Sequence, residues 1–416
     1  MVPIQVDGQR LLDHLVELAQ IGADPTGGMT RLAYSPTDQQ ARAWFVSKAE
    51  EIGLAVSIDP VGNMLALEPG AGNGLPVLSG SHLDTVRRGG RFDGMLGVAA
   101  ALEAVRAIRH RPDLPRGRPL GVLVLAAEES TRFGSVCLGS RTIVNDLPAD
   151  ALQTLADANG VTLFEALQQA GLAPERLSEA RRKPGWFYEF VEIHVDQADD
   201  LVRAGVPVGI ITGIAAPTRL WITVEGQQAH SGAALMSERR DALTGAAEIV
   251  LTVESTARTL AEREIVGTVG VLRVQPGSMN TVPGLVELGV DIRGIKATTV
   301  DQVVEQVKQA ADQVAEKRRL TVKVSVVSRA RPVQVSQRQI DRLIEACQTA
   351  GVEQIRLASR SAHDAMYLGQ HGPISMLFVR NPAGISHNPA EEARDEDIIA
   401  AGSVLATYLA WLAGQN

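Results

Sequence analysis

The stretch GSHLDTVRRGGRFDG, residues 80–94, brings His82, Asp84 and Asp93 together on a glycine-rich loop that follows the apolar run LPVLS. A second chemistry-bearing stretch, LAAEESTRFG, closes another apolar run with the adjacent carboxylates Glu128 and Glu129. Two carboxylates side by side at the end of a buried strand repel each other and are poorly solvated, so they call for positive charge; the bland alternative is a solvated turn. Of the eight histidines, His14 and His110 read as ordinary helix-face residues and His371 as a turn residue. The other five, His82, His194, His230, His363 and His387, fall at strand ends or in Gly/Ser-rich loops beside carboxylates. His82, Asp93, Glu129, His194 and His387 together suit a two-metal hydrolytic centre with Asp93 bridging the ions. Nitrogen and oxygen donors without cysteine favour zinc and leave manganese, cobalt or nickel open. Asp84, two residues after His82, is expected to hold the second ring nitrogen of that histidine. Glu128 is then free for proton transfer. Each motif alone is weak; the ordered set, each member at a loop or strand end, is strong.

The elements that must position these residues read as α/β. GQRLLDHLVELAQIG and TDQQARAWFVSKAEEIG are amphipathic helices ended by Gly; LAVSID, NMLALEP and LPVLSG are strand candidates; residues 94–108 form a helix apolar on most faces. GVLVLAA is an unbroken apolar run, as in a central strand covered on both sides. From Thr218 to Ala330 the order becomes β-α-β-β-α-β, with helices predicted over residues 238–262 and 299–319, the ferredoxin-like sequence of elements. The α/β pattern then resumes through QRQIDRLIEACQTAG, ISMLFVR and a last helix from about Asp395 to Leu412. The expected architecture is a discontinuous α/β catalytic domain, residues 1–214 and 330–416, with an inserted α+β domain at residues 215–329.

Composition narrows the function classes. A chain of 416 residues suggests two domains or more, and 45% hydrophobic residues supply a sizeable core. A formal charge of −8 without a basic run argues against nucleic acid as a partner. No stretch approaches 18 uninterrupted apolar residues, so no membrane span is expected, and MVPIQVDGQRLLDHL lacks the pattern of a signal peptide. Cys137 and Cys347 cannot build a disulfide framework, which suggests a reducing cytoplasm.

Beyond these readings the chain resembles a known family. GGMTRLAYSPTDQQAR, GSHLDTVRRGGRFDG, EESTRFG, FVEIHVDQ, AHSGAALMSERRDAL, MNTVPG, VDIRG, AHDAM and GISHNPAEE are similar to the dinuclear-metal amidohydrolases that include N-carbamoyl-L-amino-acid hydrolases, allantoate amidohydrolases and β-ureidopropionases, within the aminoacylase-like metallopeptidase clan. The resemblance implies one ion on His82, Asp93 and His194, a second on Asp93, Glu129 and His387, and Glu128 as general base. It also implies substrate contacts from Gln197, Asn280, Arg293 and His363. His230 would stabilise the oxyanion from the partner subunit of a homodimer joined through the inserted lid domain. Simpler roles compete: a surface ion pair for Arg293, a helix start for His230, a turn before Pro283 for Asn280. Three departures, Ser130 in EESTRF, Asp196 in HVDQA and Ser361 in RSAHDA, remove no ligand but fall beside the site. The implied reaction is hydrolysis of a linear C–N bond in a small carboxylate-bearing substrate. An N-carbamoyl-L-amino acid comes first, then allantoate or N-carbamoyl-β-alanine, then an N-acyl amino acid or dipeptide. A non-enzymatic binder on the same scaffold is the rival, and it would be expected to have lost Glu128 or a ligand.

Overall fold

The computed structural model describes residues 1–70, 74–148, 150–260 and 265–415. They divide into two compact units, residues 1–212, 335–357 and 363–416 forming one and residues 213–334 and 358–362 the other.

At the centre of the first unit four parallel strands lie side by side in the order Leu120–Leu125, Val77–His82, Glu189–Val195 and Ile374–Val379. Met64–Leu67 extends the sheet antiparallel at one side, followed by Ala55–Ile58; Val208–Ile214 runs antiparallel beside Ile374–Val379. Every residue of the four central strands is buried, the reason LGVLVL and ISMLFV are nearly unbroken apolar runs and the polar residues of VLSGSH and EFVEIHV are few. The polar exceptions are paired. Ser79 donates to the Val191 carbonyl at 2.7 Å, and Glu189 accepts from Ser375 at 2.5 Å and from Tyr408 at 2.7 Å.

The helix predicted over residues 94–108 forms at Met95–Arg109 and is buried along nearly its whole length. Its small residues allow close packing: a Cβ at Gly97 would stand 2.4 Å from the Ile193 carbonyl oxygen. That approach brings Asp93, just before the helix, to the ends of the parallel strands. The last helix, Asp395–Ala413, has the length and apolarity of a membrane span, with a mean hydropathy of 1.2. It is nevertheless packed within the first unit, against Met95–Arg109 and Gln337–Ala350, with most of its residues buried. It is a core helix, and no other described helix is long and apolar enough to span a bilayer. Between the Leu120–Leu125 and Glu189–Val195 strands lie short helices at Leu138–Ile143, Ala151–Thr154 and Leu163–Gln169, with a 3₁₀ segment at Pro174–Ala180. They close over their own core of Leu138, Leu147, Leu152, Leu163, Leu167 and Leu177.

The second unit is an antiparallel sheet in the order Thr321–Arg329, Ala216–Glu225, Leu285–Gly294, Ile265–Gln275, with helices at Ala242–Thr259 and Ala297–Arg318. Alternation decides its buried face. Leu220, Ile222 and Val224 pack with Val286, Leu288, Val290 and Ile292 against Ile249, Val253, Val303 and Val307 of the helices. The helix predicted over 238–262 starts at Ala242 because Asp241 caps it, its side chain accepting from the Leu243 and Thr244 N–H groups. Residues 261 and 262 of that prediction lie outside the described residues.

Candidate metal centre

His82 is the last residue of its strand, and Asp93 follows eleven residues later at the start of the Met95–Arg109 helix. His194 is the penultimate residue of Glu189–Val195. Glu128 and Glu129 follow Leu120–Leu125, and His387 lies on the segment after Ile374–Val379. All five metal-ligand candidates, and Glu128, therefore come from the C-terminal edge of one parallel sheet, where open α/β sheets place ligands.

Two overlapping donor groups result. His82, Asp93 and His194 form one and Asp93, Glu129 and His387 the other, each with its donor atoms within 4.8 Å of one another. Asp93 serves both through different oxygens. Its Oδ1 is 3.3 Å from His82 Nε2 and 3.1 Å from His194 Nε2; its Oδ2 is 3.4 Å from His387 Nε2. His387 Nε2 is also 3.3 Å from Glu129 Oε1. Glu128 stands beside the first group, Oε2 at 3.8 Å from His82 Nε2. His387 is half exposed whereas the other members are buried, so the centre opens on its side.

The ring nitrogens facing away from the centre are fixed by backbone carbonyls. His82 Nδ1 lies 2.9 Å from the Asp84 carbonyl and His194 Nδ1 3.0 Å from the Val195 carbonyl, which leaves each Nε2 for a metal. Asp84 thus holds the second ring nitrogen of His82, with its backbone carbonyl and not its side chain. Its carboxylate is 3.8 Å from His82 and instead accepts the backbone N–H groups of Glu128 at 3.1 Å and Glu129 at 3.0 Å. The reason is local: Ala127 turns the chain at φ 52°, presenting both amides to Asp84.

The electrostatics favour cations. Asp84, Asp93, Glu128 and Glu129 are buried together, and no lysine or arginine among the described residues forms an ion pair with them. Burial, opposed by His82 and reinforced by Glu129, pushes Glu128 well above the usual carboxylate range. Burial works against the Asp93 carboxylate too, yet the surrounding imidazoles, His194 foremost, hold it well below that range. Hydrogen bonds to Asp93 and Glu129 push His387 up to about 11. Burial resists charge on His82 and His194, but the carboxylates still raise both. The carboxylates thus draw positive charge to the space between these donors, and a hard or borderline divalent ion with nitrogen and oxygen ligands matches it.

Gln197 and His363 reach the same place. Gln197 Nε2 donates to Asp93 Oδ2 at 3.2 Å, while its Oε1 is buried without a hydrogen-bond partner among the described residues. His363 is buried with its ring edge-on to His194, 4.7 Å between centroids. His230, Asn280 and Arg293 belong to the second unit. His230 and Asn280 meet on a small ribbon, Ala229–His230 paired with Thr281–Val282, where Ser231 N–H donates to the Asn280 carbonyl at 2.9 Å. The Asn280 side chain accepts from Ser278 at 2.8 Å, a turn role, and the exposed His230 ring accepts from the Gly232 N–H. Arg293 is near the opposite end of its strand and engages Asp291 with two nitrogens, at 2.8 and 3.3 Å.

Several residues absent from the predicted set also touch the centre. Ser386 Oγ lies 3.0 Å from Asp93 Oδ2, and Glu391 accepts from the Asp93 backbone N–H at 3.1 Å. Cys137 donates its thiol to Glu128 Oε1 at 3.3 Å. Proximity to His387 in GISHNPAEE was the one available signal for Ser386 and Glu391; nothing local marks Cys137. A cavity of about 430 Å³ lined by residues including Ile58, Leu123, Arg182 and Trp186 contains none of the ligand candidates. Donor chemistry, not cavity size, locates the site.

A parallel sheet that gathers two carboxylate–imidazole groups around a shared aspartate, with a further carboxylate at hand, is the layout of a metal-dependent hydrolase. The chain belongs to the family described as Peptidase family M20/M25/M40, which it matches over residues 78–411. It is 38% identical over 412 residues to an N-carbamoyl-L-amino acid amidohydrolase of Geobacillus stearothermophilus, covering 99% of this chain and 100% of that protein. A ureidoglycolate hydrolase of Oryza sativa subsp. japonica is 34% identical over 418 residues, covering 99% of this chain and 86% of that one. An amidase of the hydantoinase/carbamoylase family from Burkholderia multivorans superposes with a TM-score of 0.88 at 32% identity, over 99% of each chain. The chain is accordingly an enzyme, an amidohydrolase of this family.

Proposed function

We propose that the enzyme hydrolyses the ureido C–N bond of an N-carbamoyl-L-amino acid, releasing the amino acid, carbon dioxide and ammonia. The observation that carries this reading is the pair of donor groups sharing Asp93, with Glu128 beside them and no lysine or arginine among the described residues ion-paired with them. His82, Asp93 and His194 would hold one divalent ion, and Asp93, Glu129 and His387 the other, zinc first and manganese, cobalt or nickel as alternatives. Bound there, the ions supply Lewis acidity toward the carbonyl and the attacking water. Glu128 accepts the proton of that water and returns it to the leaving nitrogen. Its burial, which raises its proton affinity, suits a group that must take a proton and give it back. Gln197 and His363 orient the ureido group beside Asp93. Asn280 and Arg293 hold the substrate carboxylate, the planar guanidinium fork matching two carboxylate oxygens.

The substrate class is supported by the names of the relatives. N-carbamoyl-L-amino acids and ureidoglycolate both carry a ureido nitrogen on the carbon bearing the carboxylate. Allantoate shares that feature and is the second choice, with N-carbamoyl-β-alanine beside it; N-acyl amino acids and dipeptides come third. A binding protein on this scaffold is disfavoured because Glu128 and every ligand candidate are present. We further assign the enzyme to the cytoplasm, supported by two free cysteines, and to a homodimer formed through the inserted unit, in which His230 of one chain stabilises the oxyanion at its partner's centre.

The test is a panel of N-carbamoyl-L-amino acids, allantoate, N-carbamoyl-β-alanine, N-acetyl amino acids and dipeptides, compared by kcat/KM with zinc- and manganese-loaded enzyme. The highest kcat/KM should fall on an N-carbamoyl-L-amino acid. A higher value for an N-acetyl amino acid or dipeptide would overturn the substrate assignment.

A further inference from the structure

Glu391 is a buried carboxylate with no part in the reaction above, yet its partners lie on the two segments that carry ligands. Its Oε1 accepts from the backbone N–H groups of Phe92 at 3.0 Å and Asp93 at 3.1 Å. Its Oε2 is 2.6 Å from the Ser386 hydroxyl, which also lies 3.0 Å from Asp93 Oδ2. Room for the carboxylate is kept by Gly90, where a Cβ would stand 2.1 Å from Glu391 Oε1. The turn that returns Glu391 toward His387 is closed by its own N–H donating to the Asn388 carbonyl at 3.0 Å.

We propose that Glu391, acting through Ser386, is a positioning residue that sets the separation of Asp93 from His387 and so shapes the second ion site. The inference rests on the two-ion reading. The first site needs no such device. His82 and His194 are placed by the sheet itself and locked by backbone carbonyls. His387 has no such support: it is half exposed, sits off any strand and holds a left-handed backbone at φ 55°. Glu391 and Ser386 connect its turn to the loop of Asp93, some three hundred residues earlier in sequence.

Glu391→Gln keeps the size and one acceptor oxygen but replaces the other with an amide that cannot accept from Ser386. Metal-depleted enzyme is titrated with Zn²⁺ against a chromophoric chelator. Wild type should take two ions. Glu391→Gln should lower the affinity of one by about 10–100-fold and leave the other unchanged. Ser386→Ala should weaken the same ion, and the double variant should be no worse than Glu391→Gln, because the two act as one unit. In a His387→Ala background, which retains only the first site, Glu391→Gln should leave the remaining affinity as it was. The proposal is overturned if Glu391→Gln preserves both affinities, weakens both equally, or weakens the ion that remains in His387→Ala. Should Glu391→Gln fail to fold, Ser386→Ala alone carries the same comparison. A wild-type chain that takes fewer than two ions would overturn the two-ion reading together with this one.

Discussion

At the scale of single residues, Glu128 and Glu129 share a peptide bond but are offered different chemistry. Glu129 faces His387 across 3.3 Å, as a co-ligand would, whereas Glu128 lies 3.8 Å from His82 and accepts from the Cys137 thiol. Glu128→Gln should therefore keep both ions while kcat falls by roughly 10²–10⁴-fold, and Glu129→Gln should lose one ion. Metal content by mass spectrometry alongside kcat separates the two; the reverse pattern would exchange their roles. Arg293 allows a second test. Arg293→Lys retains charge but loses the planar fork, so KM for carboxylate substrates should rise strongly, while the corresponding substrate amide should be poor for wild type and nearly indifferent to the change. Equal losses on acid and amide would instead mark Arg293 as a structural partner of Asp291, which it already engages with two nitrogens. The ligand candidates were legible in sequence because histidine and carboxylate at a strand end have few bland explanations. Asp84 was legible as the partner of the second His82 nitrogen, but not which of its atoms serves: choosing between its carbonyl and its carboxylate depends on the turn at Ala127, which residue types do not specify.

At the scale of elements, three of the four central strands and the Met95–Arg109 helix were readable because burial leaves a largely apolar signature, whereas Glu189–Val195, interrupted by Glu192 and His194, was not assigned from sequence. The helices between Leu138 and Gln169 were not: they run four to seven residues, too short to display a 3.6-residue period. The loops that deliver ligands depend on backbone conformations only weakly encoded by residue type, and Gly94 is the case that can be measured. It sits at φ +72°, and a Cβ there would stand 2.5 Å from His82 Cε1. Gly94→Ala should add backbone strain of order 1–3 kcal/mol and also displace the His82 ring from the first ion site. Gly160, at φ +81° with nothing within 4 Å of its would-be Cβ, is the control. Gly160→Ala should lower the denaturation midpoint but keep both ions, whereas Gly94→Ala should lower the midpoint and lose metal. If both variants retain the full complement of metal, the close approach of Gly94 to His82 does not constrain the centre.

At the scale of the whole molecule, the open matter is what the second unit does for the first. Its β-α-β-β-α-β order was readable from alternating strands and two long amphipathic helices, but neither pattern says what its surface meets. The ribbon that carries His230 and Asn280 has exposed apolar neighbours in sequence, Leu235, Met236 and Met279. If His230 serves the partner's centre, each site of the dimer draws Glu128 from one chain and His230 from the other. His230→Ala and Glu128→Ala homodimers should then both be nearly inactive, since one oxyanion donor is worth about 2.7–4 kcal/mol in comparable sites. Subunit exchange between them creates heterodimers in which one site receives both intact residues. Random pairing makes half the dimers mixed, each with one good site of two, so activity should recover to about a quarter of wild type. Differentially tagged chains purified through both tags, and assayed for ammonia release, raise the expected recovery to about half, because every dimer is then mixed. Doubly tagged heterodimers that stay inactive would mean that His230 acts within its own chain or not at all.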